Sequence, residues 1–360
     1  VDGNLTATTD ANNGVIDLGS LAVDGTIGLN THGTGNATIE NDNGIEFAAS
    51  TIGGNLNATA TDGNITDSVT GALTVTGTTT LVTTTNDASI TLDQGGHSFT
   101  DALLITTNDT GTQTDGDVTI SAGSTVPLDF STSTIDGDLI VTSGFVPVDS
   151  DSNGTISETE SNGITDSGTL TVGGASSFQT SATNANIVLD AGHAITGKVT
   201  LNTTGPSGHA TLDNGTLDIV LGDGTSGSGA TLATSVGGNL TLISGAATGI
   251  TDDETVTVGQ NLSATTDDNN GVINLGTLVV EGTIALATND DADDDSATAL
   301  VVNNCSICSG GVGLNFAAST VEGNLTATAT TGNMTDSGAL TIKGTSTLTT
   351  SANNATIVLD

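Results

Sequence analysis

The segment DSDSNGTISETE, residues 149–160, is where the sequence comes closest to a binding chemistry. It matches the spacing D-x-[DN]-x-[DN]-G-x5-E, which wraps oxygen donors around a hard cation. Asp149, Asp151 and Asn153 offer side-chain oxygens, Thr155 its backbone carbonyl, Ser157 a water-mediated contact and Glu160 a bidentate carboxylate. Gly154 permits the sharp turn, and Ile156 is placed to anchor the loop to a core. The expectation is Ca²⁺ binding of the weak kind found in extracellular modules, with Kd about 10⁻⁴–10⁻³ M. Helices on either side are not expected. GDLIVTSGF (137–145) reads as strand and Pro147 precedes the loop, so 147–161 is an excursion from a β framework.

A second unusual stretch, 287–312, holds the run NDDADDDS (289–296) and the pair Cys305 and Cys308. Asp291, Asp293 and Asp295 alternate as ligands would, but no Gly or terminal Glu completes a loop, so a solvated charge run is expected. Two thiols cannot form a four-cysteine zinc site, and no His follows to permit haem attachment. In an exported protein the expectation is a local disulfide clipping the loop. His97 (in DQGGHSF) and His193 (in DAGHAIT) hold matching places in repeat loops, and His32 and His209 belong to no Ser-His-Asp or Cys-His constellation. Sequons at Asn4, Asn64, Asn239 and Asn324 follow from an Asn- and Thr-rich composition, and several open expected strands, so they are not counted as glycan acceptors.

The composition limits what can position these residues. Of 360 residues only 34% are hydrophobic and 2% aromatic, with neither Trp nor Tyr, so a thick globular core is not expected. Thr, Val, Ile, Leu and Ala with 49 Gly and 3 Pro suit short strands between tight turns rather than disorder. Two Lys, no Arg and 41 acids give a net charge of −39. Neutralising phosphates or anionic lipid requires Lys and Arg, so nucleic acid and membrane surfaces are excluded as partners. No stretch approaches about 18 apolar residues, so no insertion into a membrane is expected. A saline or calcium-containing exterior would screen such a charge.

Internal copies set the architecture. GVIDLG (14–19) returns as GVINLG (271–276) and GTIGL (25–29) as GTIAL (282–286), both at an offset of 257. GIEFAAST (44–51) returns as GLNFAAST (313–320) at 269, so the second copy carries 12 extra residues in between. ITDSVTGALTV (65–75), ITDSGTLTV (164–172) and MTDSGALTI (334–342) form a third set. Within them recurs Gly-x-(Leu/Ile/Val)-x-apolar, as in GNLTA at 3, GNLNA at 54, GDLIV at 137 and GNLTL at 238, with neighbours often 20–25 residues apart. Each hit is a short alternating strand in which Leu5 and Ala7 face one way and Thr6 and Thr8 the other. Sustained offsets favour stacked, interchangeable coils over a β-sandwich. At about 22 residues per coil the chain would hold about 16 coils and extend about 75–80 Å. The expected fold class is therefore all-β, a β-solenoid running through 1–360 with loop excursions at 147–161 and 287–312. It opens and closes mid-pattern, as a slice of a longer repetitive chain would.

The runs at 323–360 (GNLTATATTGNMTDSGALTIKGTSTLTTSANNATIVLD) and 161–197 (SNGITDSGTLTVGGASSFQTSATNANIVLDAGHAITG) resemble the repeats of filamentous-haemagglutinin-type exoproteins, large bacterial adhesins exported by two-partner or autotransporter routes. That resemblance implies a right-handed parallel β-helix that is secreted and displayed on the cell surface. The family's Asn-Pro-Asn secretion signature is not found. The function expected is an extracellular structural or adhesive fibre, with copies of itself or neighbouring repeats as partners, together with host or cell-surface glycans or proteins. A β-helical polysaccharide enzyme is the alternative; an active site would break the repeat with acid, base and sugar-stacking groups, whereas no Arg, Trp or Tyr is available and the landmarks recur instead of standing alone. An ice-binding solenoid, suggested by TTTLVTTT, would need equal coil lengths.

Overall fold

The computed structural model describes residues 1–108, 116–153, 155–224, 233–289, 297–305 and 312–360. Among them the regular elements are all short β-strands joined by turns, apart from one 3-10 turn at Thr159–Ser161. It divides into two compact units, Val1–Ala182 and Thr183–Asp360. Each unit is a parallel β-solenoid, as its period of about 22 residues predicts.

Every coil gives one arm to each of two sheets. One arm is a straight strand such as Leu56–Ala60; the other is usually bent into two pieces, such as Ile65–Asp67 and Leu73–Val75. In the first unit Leu56 stands beside Thr79 and then Leu103, while Ile65 stands beside Ile90 and then Val118. In the second unit Leu240–Ser244 lies on Leu262–Asn269, and the bent arm of Ile250–Asp252 and Val256–Val258 lies on Ile273–Val280. Two-residue alternation decides which side chains point in: Leu56, Ala58 and Ala60 are buried and Asn57 is exposed. The interior is a narrow file of Ile, Leu, Val and Ala, thickened by the fully buried Phe47, Phe99, Phe130, Phe178 and Phe316. Each fully buried Leu, Ile or Phe contributes about 1.5–3 kcal/mol.

Coil length varies with what the turns carry. Hydrogen bonds between neighbouring coils span 22 residues at Asn4 and Thr26, 28 at Ser133 and Ile105, and 37 at Asp138 and Ala175, where the 147–161 loop is inserted. The excursions therefore leave about seven coils in each unit, fewer than an even 22-residue period predicts.

Candidate functional site

The 147–161 loop leaves the straight strand Leu139–Ser143 and re-enters at Asn162–Asp166. Asp149, Asp151 and Glu160 converge, each offering a carboxylate oxygen within 4.8 Å of the others. Glu160 closes the loop on itself. Its Oε1 accepts from Ser150 N and Oγ, both at 2.6 Å, and from Asp151 N at 3.2 Å; its Oε2 accepts from Ser157 N at 2.9 Å and Oγ at 2.8 Å. These donors, led by the Ser150 hydroxyl, hold the Glu160 carboxyl down at about 2. Asn153 N donates to Asp149 Oδ1 and Asp151 Oδ1, each at 3.1 Å, while Asn153 Oδ1 accepts from Thr155 N at 2.9 Å and Thr155 Oγ1 at 2.6 Å. The spacing motif thus brings Asp149, Asp151, Asn153, Thr155, Ser157 and Glu160 into one connected knot, whose oxygens are met by the loop's own N–H and O–H groups. Gly154 lies outside the described residues. Ile156 does not anchor the loop as its sequence position suggests: it is 50% exposed, because the loop is tied by Glu160 rather than by apolar contact. Anchoring falls to Phe145 at the loop's root, 6% exposed.

The sequence motifs left unseen the side chains that join unlike arms. Where a straight arm lies on a bent one, the bend removes a backbone acceptor and a hydroxyl replaces it. Leu29 N donates to Ser50 Oγ and Ile105 N to Ser133 Oγ in the first unit; Leu201 N donates to Thr234 Oγ1 and Leu286 N to Ser319 Oγ in the second. These bonds run 3.0–3.3 Å, and Ser50, Ser133 and Ser319 donate onward to the carbonyl two residues back. In the opposite order, bent on straight, a buried Asn acts as a substitute peptide group. Asn41 takes Val23 N and returns its amide to Val23 O; Asn214 does the same with Ile195 and Asn303 with Val280. Ala122 stands at the corresponding place where Val118–Ala122 lies on Ile90–Phe99. Recurrence of Phe-x-x-Ser-Thr at 47–51, 130–134 and 316–320 is the signal that could have revealed the hydroxyl seams.

The recurrent Gly-Asn pair has a related cause. Asn4, Asn36, Asn55, Asn239 and Asn324, and Asn261 in the same place after Gln260, each accept, through Oδ1, a backbone N–H of the next coil. That oxygen fills the space a Cβ would need at the facing glycine: at Gly25, Gly282 and Gly344 a Cβ would lie 2.5 Å from it. Asp138 and His209 take the same role at Ala175 N and Asn239 N. The sequon residues Asn4, Asn64, Asn239 and Asn324 are thereby structural.

His97 is fully buried in a bend. Leu73 N donates to its Nδ1 at 3.0 Å, which places its proton on Nε2, 3.1 Å from Asp67 Oδ2; the ring stacks on Phe99 at 5.8 Å. Burial lowers its pKa, against the opposing pull of Asp67. His193, also buried, is lowered to about 4, again chiefly by burial. Cys305 is buried and disulfide-bonded. Cys308 and the acidic run at 290–296 lie outside the described residues, so the pairing of Cys305 with Cys308 remains a reading of the sequence. No helix among the described residues is long and apolar enough to cross a membrane.

In-register parallel coils, two interchangeable kinds of arm and side chains dedicated to joining them define a β-solenoid repeat protein. A family described as "Repeats of unknown function (DUF5649)" matches residues 34–106 and 302–360. Both stretches include an Asn seam and a Ser seam, at Asn41 and Ser50 and at Asn303 and Ser319. No curated protein and no solved structure matches the chain.

Proposed function

We propose that this chain is a segment of a secreted, extracellular fibre of the filamentous-haemagglutinin type, structural or adhesive at the cell surface and not catalytic. The observation that carries the reading is the arm-joining chemistry. Dedicated Asn and Ser groups make straight and bent arms interchangeable, so each coil recreates the edge on which another coil, or another copy, can pair. A net charge of −39 supports an exterior setting, where salt screens it. Electron microscopy of the full-length native protein tests this: filaments are expected, and compact monodisperse particles would overturn it.

The 147–161 loop is proposed to bind Ca²⁺ through Asp149, Asp151, Asn153, Thr155, Ser157 and Glu160. What supports this is the full spacing motif together with convergence of the three carboxylates within 4.8 Å. Calcium would supply a single charge centre for oxygens now shared among N–H and O–H donors. Protease protection of the loop, titrated with Ca²⁺ and with EDTA, is expected to rise and fall accordingly and to vanish in Glu160→Gln. Protection indifferent to both reagents would remove calcium from the account.

A further inference from the structure

The acids are distributed unevenly. In the second unit one outward row of a sheet, Val188–Thr211–Thr241–Ser263–Ala285, contains no ionisable side chain, and the row beside it, Asp213–Ile243–Thr265–Ala287, carries an acid only at its first position. Stacked carboxylates on neighbouring strands would repel, which explains why acids are kept to turns and row ends such as Asp213 and Asp267. Within the first row Ser263 and Ala285 are smaller than the Thr residues beside them. The result is a shallow groove of about 230 Å³ lined by Asn239, Thr241, Asn261, Ser263, Thr283 and Ala285, again without a charge.

We propose that this groove is the docking site for an uncharged polysaccharide, laid along the stacking direction. The proposal rests on the adhesive reading above and names its ligand class. Charge selects the class. A −39 chain repels anionic glycans, nucleic acid and anionic lipid, and a cationic ligand is drawn instead to carboxylates. The contrast lies in the first unit, where a larger cleft of about 590 Å³ is lined by Asp24, Glu46 and Asp62. What the neutral groove offers is hydroxyls at Thr241 and Ser263, a floor of small side chains, and the amides of Asn239 and Asn261, which are held rigidly by the inter-coil ladder: Asn239 Oδ1 accepts Asn261 N at 3.1 Å and Asn261 Oδ1 accepts Thr283 N at 2.9 Å. Rigid, uncharged polar groups match sugar hydroxyls at low ordering cost. Strands recur about every 4.8 Å, close to the length of one pyranose unit, so successive sugars meet successive coils in equivalent positions.

The test uses the full-length protein on immobilised cellulose, β-1,3-glucan and galactomannan, with polygalacturonate and chitosan as anionic and cationic counterparts. Retention is expected on at least one neutral polysaccharide and should be unchanged between about 0.05 and 0.5 M salt, because no ion pair is involved. Ser263→Asp, which places a carboxylate in the groove, and Ala285→Val, which fills it with a residue suited to strands, should each weaken retention at least about tenfold, a change of about 1.4 kcal/mol. Thr328→Asp on the other sheet should leave it intact, with folding of every variant followed by circular dichroism. Failure of all three neutral polysaccharides, retention indifferent to both groove substitutions, or salt-sensitive retention on chitosan alone would overturn the proposal. Filament formation is read separately by electron microscopy, so loss of glycan binding with filaments preserved refutes the groove and not the fibre.

Discussion

Replacing Asn214 by Ala tests whether a single side chain holds two unlike arms together. Asn214 is fully buried and makes three bonds: it accepts Ile195 N at 2.9 Å, and its amide donates to Ile195 O at 2.9 Å and Asp218 O at 2.5 Å. The substitution strips a buried N–H, a buried carbonyl and a half-buried carbonyl of a partner at once. Each such group costs about 1–3 kcal/mol when left unmet, and partial entry of water brings the sum to about 3–5 kcal/mol. Asn261→Ala is the internal control, because the Asn261 ladder bond is exposed and its donors at Thr283 can turn to water, giving about 0.5–1.5 kcal/mol. Solenoids open locally, so a global melting curve alone would blur the difference. Hydrogen exchange at the Ile195 amide reads it directly: in Asn214→Ala exchange there should accelerate by at least about a hundredfold, the equivalent of 2.7 kcal/mol. If that amide kept its protection, or Asn261→Ala cost as much, the substitute-peptide account of the seam would be wrong.

Ser50→Ala should cost about 1–3 kcal/mol in urea unfolding of the first unit, since Leu29 N has its acceptor at Ser50 Oγ and the seam is 3% exposed. Gly282→Ala should destabilise by about 1–3 kcal/mol, because its Cβ would lie 2.5 Å from Asn261 Oδ1; at Gly276, where the nearest atom is 3.9 Å away, the same change should stay within about 0.5 kcal/mol. For pH, His193 takes up its proton near 6.5 when unfolded and only near 4 when folded, so the unfolded state binds more protons between those values. The stability tied to His193 is complete above pH 6.5 and should decline by about 2–4 kcal/mol as pH falls to about 4. A His193→Gln variant should flatten that slope in denaturant titrations. At Glu160 the sign is the same with a lower window: loop closure is intact above about 4.5 and is lost towards about 2, read as new protease cleavage within 147–161.

Much of the fold could be read from residue spacing, because the quantity being repeated is itself a contact. Offsets of about 22 residues locate neighbours on the stacking axis, and alternation in segments such as LNATA assigns Leu56 inward and Asn57 outward. The calcium-type spacing likewise predicted that Asp149, Asp151 and Glu160 would meet. Ile156 misled because an apolar residue within a polar loop has no obligation to reach a core when a carboxylate already ties the loop's ends. The seams were hidden for a different reason. Ser50 and Asn41 look like ordinary surface residues until it is known that a straight strand on one coil faces a bend on the next, and that mismatch belongs to a pair of coils rather than to either sequence alone. His97 was legible as a repeated turn position, but its burial against Asp67 and Phe99 depends on a ten-residue arm folding inward, which no local pattern states.

The seams also bear on how such a chain can change length over evolutionary time. A block cut at one Ser junction and rejoined at another, for instance between Ser50 and Ser319, presents the same donor and acceptor to whatever follows. Unequal recombination between such like junctions deletes or duplicates whole blocks without leaving an ill-fitting join, whereas a breakpoint elsewhere strands a buried amide. Gene length is then free to drift in steps bounded by matching junctions, and variation in total length among descendants would carry little cost in folding.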